Sequence, residues 1–188
     1  YQDRVRTFAS RFDLSTNEYE NESGFTTGYD IRINGTILAD LLAATCLEDG
    51  EKVVPEFAFG ASEEFVRGLL AGYVGGDGNV GDRAIRASST SDRLIEGISL
   101  LLARIGVHAT WGSQDDSKTL RVPSKYVPRF AEAVDVVGER GDSLDALAAE
   151  IDPDGPDATD QIPNFGDALR EAAAAAGIPS RQVNSASN

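Results

Sequence analysis

The chain has 188 residues, 41% of them hydrophobic, and a formal net charge of -14 from 31 acidic and 17 basic side chains. This hydrophobic content suffices for a folded core and excludes a disordered acidic tail. Cys46 is the single cysteine and His108 the single histidine, which excludes a disulfide framework and a zinc site built from several Cys and His ligands.

The charged residues have an unusual composition. Only three of the 17 basic residues are lysines, and methionine is absent. An acidic surface of this kind keeps a protein soluble in molar salt, so we expect a halophilic, cytoplasmic protein. No apolar run is long enough for a membrane span, and we expect no membrane partner. The acidic total does not exclude a nucleic-acid partner, because the counterion contribution to binding is already small in high salt.

The N-terminal part of the chain predicts a short series of helices and strands. Apolar residues at helical spacing predict a helix over residues 2–12. Residues 15–27 are polar and rich in turn formers, so we interpret them as turns. Alternating apolar residues over 29–33 predict a strand, and a helix follows over 36–44.

From residue 62 onward the pattern is stronger. It predicts a helix to about residue 75, a strand over 79–89 with a bulge as an alternative, and a helix over 91–105. A strand hairpin over 107–122 and a helix over 124–134 follow. Helices and short strands in this order indicate an α+β unit with a small, mostly antiparallel sheet.

The helix that leads to Asp77 is the most informative segment. Three glycines and one alanine fall on a single stripe of this helix, although each glycine costs about 1 kcal/mol relative to alanine. A second helix packed closely against the stripe would offset this cost. Asp77 would follow the helix C-terminus, where the dipole repels a carboxylate unless a cation holds it. The stripe consists of Gly68, Ala71, Gly72 and Gly75.

Two such carboxylates, brought together by paired helices, would form a metal site. The alternative is a glycine-rich turn with a purely structural role, since Gly-Asp-Gly is common in turns.

Residues 70–78, Leu-Ala-Gly-Tyr-Val-Gly-Gly-Asp-Gly, resemble the LAGLIDADG motif of homing endonucleases. The resemblance spans roughly residues 28–138, with Gly75 at the first acidic letter of the motif. Residues 162–166 are more loosely similar to the stretch that follows the endonuclease in haloarchaeal inteins. Further support comes from Ser91, Leu94, Leu101, Leu102 and the run Ile105-Gly106-Val107, together with residues 33–35 and 54–57.

The resemblance implies the α+β fold of the LAGLIDADG homing endonucleases, with αββαββα-type repeats and curved antiparallel sheets. It implies a site-specific double-strand DNA endonuclease, encoded within a protein-splicing intein, that hydrolyses phosphodiesters with a divalent metal such as Mg²⁺. Asp77 would be the metal ligand and a catalytic residue, and Lys118 the catalytic basic residue. A solvated lysine in a hairpin is the alternative for Lys118.

The family needs two motif helices, and the sequence shows one. We therefore interpret residues 1–59 as the remainder of a first endonuclease half that lacks its motif helix, and 60–138 as the second LAGLIDADG half. Residues 139–188 would form an acidic linker and a C-terminal helical tail. The partner helix would come from missing upstream sequence or from a second chain.

The same resemblance places the strands of the second half in the major groove of double-stranded DNA. Arginine and glutamine can each form paired hydrogen bonds with base edges. The alternative for each residue is a charged outer sheet face. The candidate DNA-binding residues are Asn79, Arg83, Arg86, Ser88, Trp111, Gln114 and Arg121.

Three alternatives to an active endonuclease remain. A DNA-binding module of the same fold within an intein could have lost cleavage. An RNA-splicing maturase would prefer structured intron RNA. A scaffold without a nucleic-acid partner would respond to neither DNA nor Mg²⁺.

Overall fold

The computed structural model describes residues 2–23, 26–114, 117–152, 154–155 and 166–178. The chain divides into two compact units, Tyr1–Pro153 and Asp154–Asn188. None of the helices in these described ranges combines the length and apolar character that crossing a membrane requires.

The first unit begins with six short elements. Helix α1 is Gln2–Arg11, strand β1 Ser15–Ser23, strand β2 Thr26–Asn34 and helix α2 Thr36–Cys46. Strand β3, Leu47–Glu48, and strand β4, Glu51–Lys52, complete this set.

The interpretation of residues 15–27 as turns was wrong. Strand β1 pairs with β2 in an antiparallel register that sets Ser15 opposite Asn34. Polar residues occupy both faces of β1, so the alternation of apolar and polar residues that marks a half-buried strand is missing. The strand owes its conformation to pairing with the more apolar β2.

A second set of elements follows a 3-10 turn at Glu56–Phe59. It comprises helix α3, strands β5 and β6, helix α4, strands β7 and β8, and helix α5. Their bounds are Glu63–Asp77, Asn79–Gly81, Ala84–Ser89, Asp92–Arg104, Thr110–Gln114, Ser117–Val122 and Val127–Ala133, with a 3-10 turn at Ser124–Tyr126 before α5.

The single strand expected over 79–89 is two strands joined by a tight turn. Asp82 and Arg83 both have positive φ, at 47° and 58°, and connect Gly81 to its partner Ala84. Two positive φ values are the mark of a type I′ hairpin turn, which usually carries Asn-Gly or Asp-Gly. The Asp-Arg pair gave no such signal in the sequence.

The order α-β-β-α-β-β therefore occurs twice in the first unit. In the second set, the four strands form one antiparallel sheet in the order β5-β6-β8-β7. The sheet packs its inner face on α3 and α4, which confirms the α+β class. The largest fully buried side chains include Leu70 of α3, Ile98 and Leu101 of α4, and Phe130 of α5.

Serine hydroxyls fix the start of the two central helices. The Ser62 hydroxyl accepts a bond from the amide of Phe65, and the Ser91 hydroxyl accepts one from Leu94. Ser91 also donates to the carbonyl oxygen of Lys52 at 2.7 Å, which links the two sets of elements. Both caps match the helix starts that the sequence predicts.

Helix α6, Glu139–Glu150, completes the first unit. Its Leu144 lies in the core, as does Ile151 just after the helix. The second unit contains helix α7, Gly166–Ala175. Residues 162–165, which carry most of the tail similarity, lie outside the described residues.

Candidate functional site

Asp77 is the last residue of α3 rather than the residue after it. The amide of Gly78 caps the helix by donating to the carbonyl oxygen of Val74 at 2.9 Å. A side chain at Gly78 would lie 2.5 Å from that oxygen, so this close turn requires glycine. The Asp77 side chain is exposed, and strand β5 begins two residues later. The carboxylate therefore stands at the junction of helix and sheet.

The small-residue stripe of α3 faces α1 of the same chain, but not closely. Gly68, Ala71 and Gly72 line a cleft of about 270 Å³ together with Arg4 and Phe8 of α1. A side chain added at Gly68 or Gly72 would meet nothing within 4 Å. Helix α1 is therefore not the closely packed partner of the stripe, because it carries large side chains where a close pair needs small ones. A partner helix from upstream sequence or from a second chain stays a prediction.

The fourth residue of the stripe contacts a different element. A side chain at Gly75 would lie 3.9 Å from a methyl group of Val136, in the segment before α6.

Side chains of α1 border two clefts beside α3. Arg4 lines both of them, with Glu63 and Glu64 in one and with Phe8 and Gly72 in the other.

Asp13 is the counterpart of Gly106 at the end of α4 rather than of Asp77. The amides of Asp13 and Leu14 donate to the carbonyl oxygens of Ser10 and Ala9, as those of Gly106 and Val107 donate to Ala103 and Leu102. Asp13 and Gly106 both have positive φ, at 52° and 74°. Helix α1 therefore ends as α4 does, and the described residues of the first set contain no counterpart of the helix that carries Asp77.

The open face of the sheet in the second set carries an arginine pair. Arg86 of β6 lies directly opposite Arg121 of β8, and Asn79 of β5 lies opposite Arg86 on its other side. On the same face, the Ser88 hydroxyl shares a hydrogen bond of 2.8 Å with Thr119. Like charges directly opposite each other destabilise a sheet, so an anion bound between Arg86 and Arg121 would stabilise this face.

Arg83 and Gln114 lie at the margins of this face. Arg83 is exposed in the turn between β5 and β6, and Gln114 ends β7 opposite Ser117. Asn79, Arg86, Ser88 and Arg121 thus share one face, and Arg83 and Gln114 lie at its ends.

Lys118 and Trp111 lie on the other face of the sheet, so Trp111 does not share the face of the other predicted DNA-binding residues. Trp111 is opposite Leu120, whose side chain is in the core. The ammonium group of Lys118 lies 4.6 Å from the Trp111 ring centre and forms ion pairs with Asp92 at 2.7 Å and Glu96 at 3.5 Å. The sequence could not reveal these partners, because α4 approaches β8 only in the folded chain.

The partners of Lys118 also set its protonation. The hydrogen bond to Asp92 raises the pKa of Lys118 above its usual value, and the charges of both carboxylates add to the effect. The group therefore stays protonated, which disfavours a role as a general base.

The hairpin of β1 and β2 carries a second polar face that the sequence reading missed. Asn17, Tyr19, Arg32 and Asn34 share this face and are exposed. The Arg32 guanidinium lies 5.4 Å from the centre of the Tyr19 ring. Asn17 and Arg32 are directly opposite each other, which places an amide and a guanidinium side by side.

Comparisons with known proteins give a consistent family. Residues 64–135 match the family model described as a LAGLIDADG-like domain. We refer to residues 64–135 as the LAGLIDADG-like domain because of this similarity.

Solved structures match a larger part of the chain. The homing endonuclease I-DmoI in complex with DNA and Ca is 14% identical, with a TM-score of 0.57 over 76% of this chain and 73% of that chain. The homing endonuclease I-WcaI, bound to its DNA recognition sequence, is 14% identical, with a TM-score of 0.56 over 77% of this chain and 71% of that chain. The predicted LAGLIDADG homing endonuclease fold is thus confirmed.

Two further matches are with proteins longer than this chain. Full-length DUF199/WhiA from Thermatoga maritima is 13% identical, with a TM-score of 0.54 over 92% of this chain and 56% of that chain. The DNA-directed RNA polymerase subunit Rpo1C of Methanocaldococcus jannaschii is 39% identical over 170 residues, which are 88% of this chain. The chain spans 20% of the length of that subunit.

The donor set of the LAGLIDADG-like domain fits a hard divalent cation. Within the described ranges, no three Asp, Glu, His or Cys side chains form a ready metal-binding group. Mg²⁺ is usually held by one or two carboxylates, with water and substrate phosphates as its other ligands. An exposed carboxylate at a helix end, such as Asp77, satisfies that requirement.

Proposed function

We propose that the chain is part of a site-specific, metal-dependent endonuclease that cuts double-stranded DNA. The observation that carries this proposal is the position of Asp77, an exposed carboxylate at the junction of α3 with a sheet whose open face bears Arg86 and Arg121. At this junction the phosphate backbone of the DNA would lie next to the metal-binding carboxylate.

DNA would lie against the open faces of the two β regions. Arg86, Arg121 and Asn79 can bind phosphates or base edges, and arginine in particular offers a paired contact to guanine. The exposed face with Asn17 and Arg32 would extend the surface along the duplex. The complexes of I-DmoI and I-WcaI with DNA support this placement through the shared fold.

Asp77 would hold the divalent metal, and the second carboxylate would come with a partner helix from missing upstream sequence or from a second chain. A bound metal supplies stabilisation of charge at the phosphate and lowers the pKa of water. Lys118 would be structural, because its ammonium is held by Asp92 and Glu96.

The chain would belong to an intein within a larger protein. A match of 39% identity that spans only 20% of an RNA polymerase subunit supports an insertion in a long polypeptide. An endonuclease-type domain inside a subunit of that kind is the arrangement expected of an intein. The acidic, lysine-poor composition supports a halophilic, cytoplasmic protein.

A cleavage-inactive DNA-binding module is the second candidate, and one observation favours it. The cleft beside Gly68 and Gly72 is open, with the large Arg4 and Phe8 side chains of α1 across it. If no second motif helix packs on the stripe, Asp77 has no second carboxylate beside it and only DNA binding remains. A helix from upstream sequence or from a second chain could fill the cleft instead.

The test is cleavage of a randomised pool of duplex DNA in KCl-rich buffer with Mg²⁺. The active protein should give discrete cuts, and Asp77→Asn should lose at least about a hundredfold in cleavage rate. Asp145→Asn, a change at an exposed carboxylate on α6, is the matched control and should cut normally. Specific binding without cuts would favour the inactive module, and neither binding nor cuts would contradict both candidates.

A further inference from the structure

The C-terminal turn of α3 receives a hydrogen bond from outside the LAGLIDADG-like domain. The guanidinium of Arg140, in the first turn of α6, donates through Nη1 to the carbonyl oxygen of Gly75. Gly75 lies two residues before Asp77, and Arg140 lies beyond the matched range of 64–135. The contact therefore joins an added helix to the helix that carries the candidate metal ligand.

The chemistry of a helix end explains why this contact matters. The last carbonyl groups of an α-helix have no partner within the helix, and the negative end of its dipole lies there. In α3 the amide of Gly78 satisfies only Val74, and the last turn contains no basic residue. Arg140 supplies both a donor for Gly75 and a positive charge.

The surrounding segment holds Arg140 in place. Val136 packs against Gly75 and is largely buried. Gly138 has a φ of 77°, which turns the chain into α6. A side chain at Gly141 would lie 2.0 Å from the carbonyl oxygen of Val136, so α6 and this segment approach more closely than any other residue would permit.

We propose that Arg140 is a positioning residue, which fixes the end of α3 and thereby the orientation of the Asp77 carboxylate toward a divalent cation. The effect on metal binding rests on the proposed function, because it requires Asp77 to be a metal ligand. The effect of Arg140 on the end of α3 does not depend on that function. Arg140 touches neither the metal nor DNA in this proposal. It acts through the Gly75 carbonyl.

The chain offers a matched control at another helix end. Arg129 of α5 donates through Nε to the carbonyl oxygen of Ile105, 3.2 Å away, at the end of α4. Arg129→Ala therefore removes an equivalent helix-end contact far along the chain from Asp77. Arg140→Lys keeps the positive charge and tests whether a single donor rescues the effect.

The first measurement is amide hydrogen exchange in the whole chain. Arg140→Ala should raise the exchange rate at Gly78 by at least about fivefold, since the last turn of α3 would open more often. Arg129→Ala should raise exchange at Gly106 and Val107 instead, because their amides close the end of α4. An unchanged Gly78 rate in Arg140→Ala would overturn the proposal.

The second measurement is binding of Mn²⁺ by isothermal titration calorimetry. Arg140→Ala should weaken Mn²⁺ binding by about tenfold, the effect expected when a supporting group loses its hold on a ligand. Arg129→Ala should bind as the unmodified chain does, and Arg140→Lys should recover part of the loss. Faster exchange at Gly78 with unchanged Mn²⁺ binding would reduce Arg140 to a structural cap and overturn its positioning role.

The two proposals fail in different ways. If Asp77→Asn leaves DNA cleavage intact while Arg140→Ala still alters Gly78 exchange and Mn²⁺ binding, the proposed catalytic role of Asp77 fails and the role of Arg140 stands. If Asp77→Asn abolishes cleavage while Arg140→Ala changes neither property, the endonuclease stands and the inference about Arg140 is contradicted.

Discussion

Helix α2 of the first set and helix α4 of the second set are packed very differently. Helix α4 buries five residues: Ile95, Gly97, Ile98, Leu101 and Leu102. Helix α2 has eleven residues and buries none of them, although it is the more apolar of the two. Its Ile37 is 85% exposed and its Leu41 is 56% exposed.

The sheets explain the difference. Helix α4 covers one face of a four-stranded sheet, whereas the strands near α2 form a separate two-stranded hairpin and the two-residue pair of β3 and β4. An open cleft separates α2 from α3 and α4. Clefts of about 960 Å³ and 460 Å³ border α2 and its neighbours. The comparison teaches that a repeated order of elements does not guarantee a repeated core. In this unit the second set carries the stability.

Matched leucine truncations should show this difference most strongly. Leu101→Ala in α4 removes a fully buried side chain and should lower the free energy of unfolding by about 3 kcal/mol. Leu41→Ala in α2 should lower it by less than about 1 kcal/mol, because that side chain already faces water. Denaturant unfolding of both variants in the same KCl buffer gives the two values.

Equal losses in the two variants would break the comparison. They would mean that α2 is covered in solution, and the cover would have to come from a partner or from another copy of the chain.

The carboxylates near the ends of α1 and α3 allow a comparison of the two sets in catalysis. Asp77→Asn should cost at least about a hundredfold in cleavage rate. Asp13→Asn should cut normally, because Asp13 occupies a helix cap like that of Gly106 and the open cleft separates α1 from α3. Single-turnover cleavage of a selected target measures both. A loss of similar size in Asp13→Asn would contradict this and make Asp13 a second catalytic carboxylate.

Much of the second half could be predicted from its sequence. Ser62 and Ser91 cap helices whose apolar residues recur at helical spacing, so the starts of α3 and α4 follow from local chemistry. The position of Asp77 at a helix end was predicted to within one residue for the same reason.

Features that depend on tertiary contacts could not be predicted in this way. Strand β1 is polar on both faces, and the Asp82-Arg83 turn lacks a recognisable turn signal. The face on which Lys118 lies follows from strand register, and its ion partners lie on a separate helix. The partner helix of the stripe was expected from upstream sequence or from a second chain, and this stays a prediction, since α1 carries Phe8 where a close pair needs a small residue.

Substitution in the small-residue stripe of α3 tests whether another helix packs closely on it. Gly72→Ala should stabilise this chain by about 1 kcal/mol, because alanine is the better helix former and its methyl group would meet no neighbour within 4 Å. Gly78→Ala is the control and should destabilise the chain, since its methyl group would clash with the Val74 carbonyl. Thermal unfolding measures both. Destabilisation by Gly72→Ala would show that another helix packs closely on the stripe.

The smallest expected effect concerns Tyr73, which lies where α2 of the first half meets α3 and α4 of the second. Its hydroxyl is buried and has no hydrogen-bond partner among the described residues, and it borders the cleft of about 460 Å³. Removal of that hydroxyl in Tyr73→Phe should raise the free energy of unfolding by up to about 1 kcal/mol at neutral pH.

The pH dependence of the same variant provides an internal check. Burial raises the pKa of Tyr73 above its usual value, and the charge of Asp77 raises it further. The folded chain therefore holds this proton more tightly than the unfolded chain. Its contribution is complete below about pH 10 and is lost as the pH rises through the folded-state pKa.

Tyr73→Phe should lose less stability than the unmodified chain between pH 9 and 11 in denaturant unfolding, whereas Tyr126→Phe should keep the unmodified loss because Tyr73 remains. Identical alkaline profiles for Tyr73→Phe and the unmodified chain would mean that water reaches the hydroxyl, and that the contact between the two halves is looser than the cleft indicates.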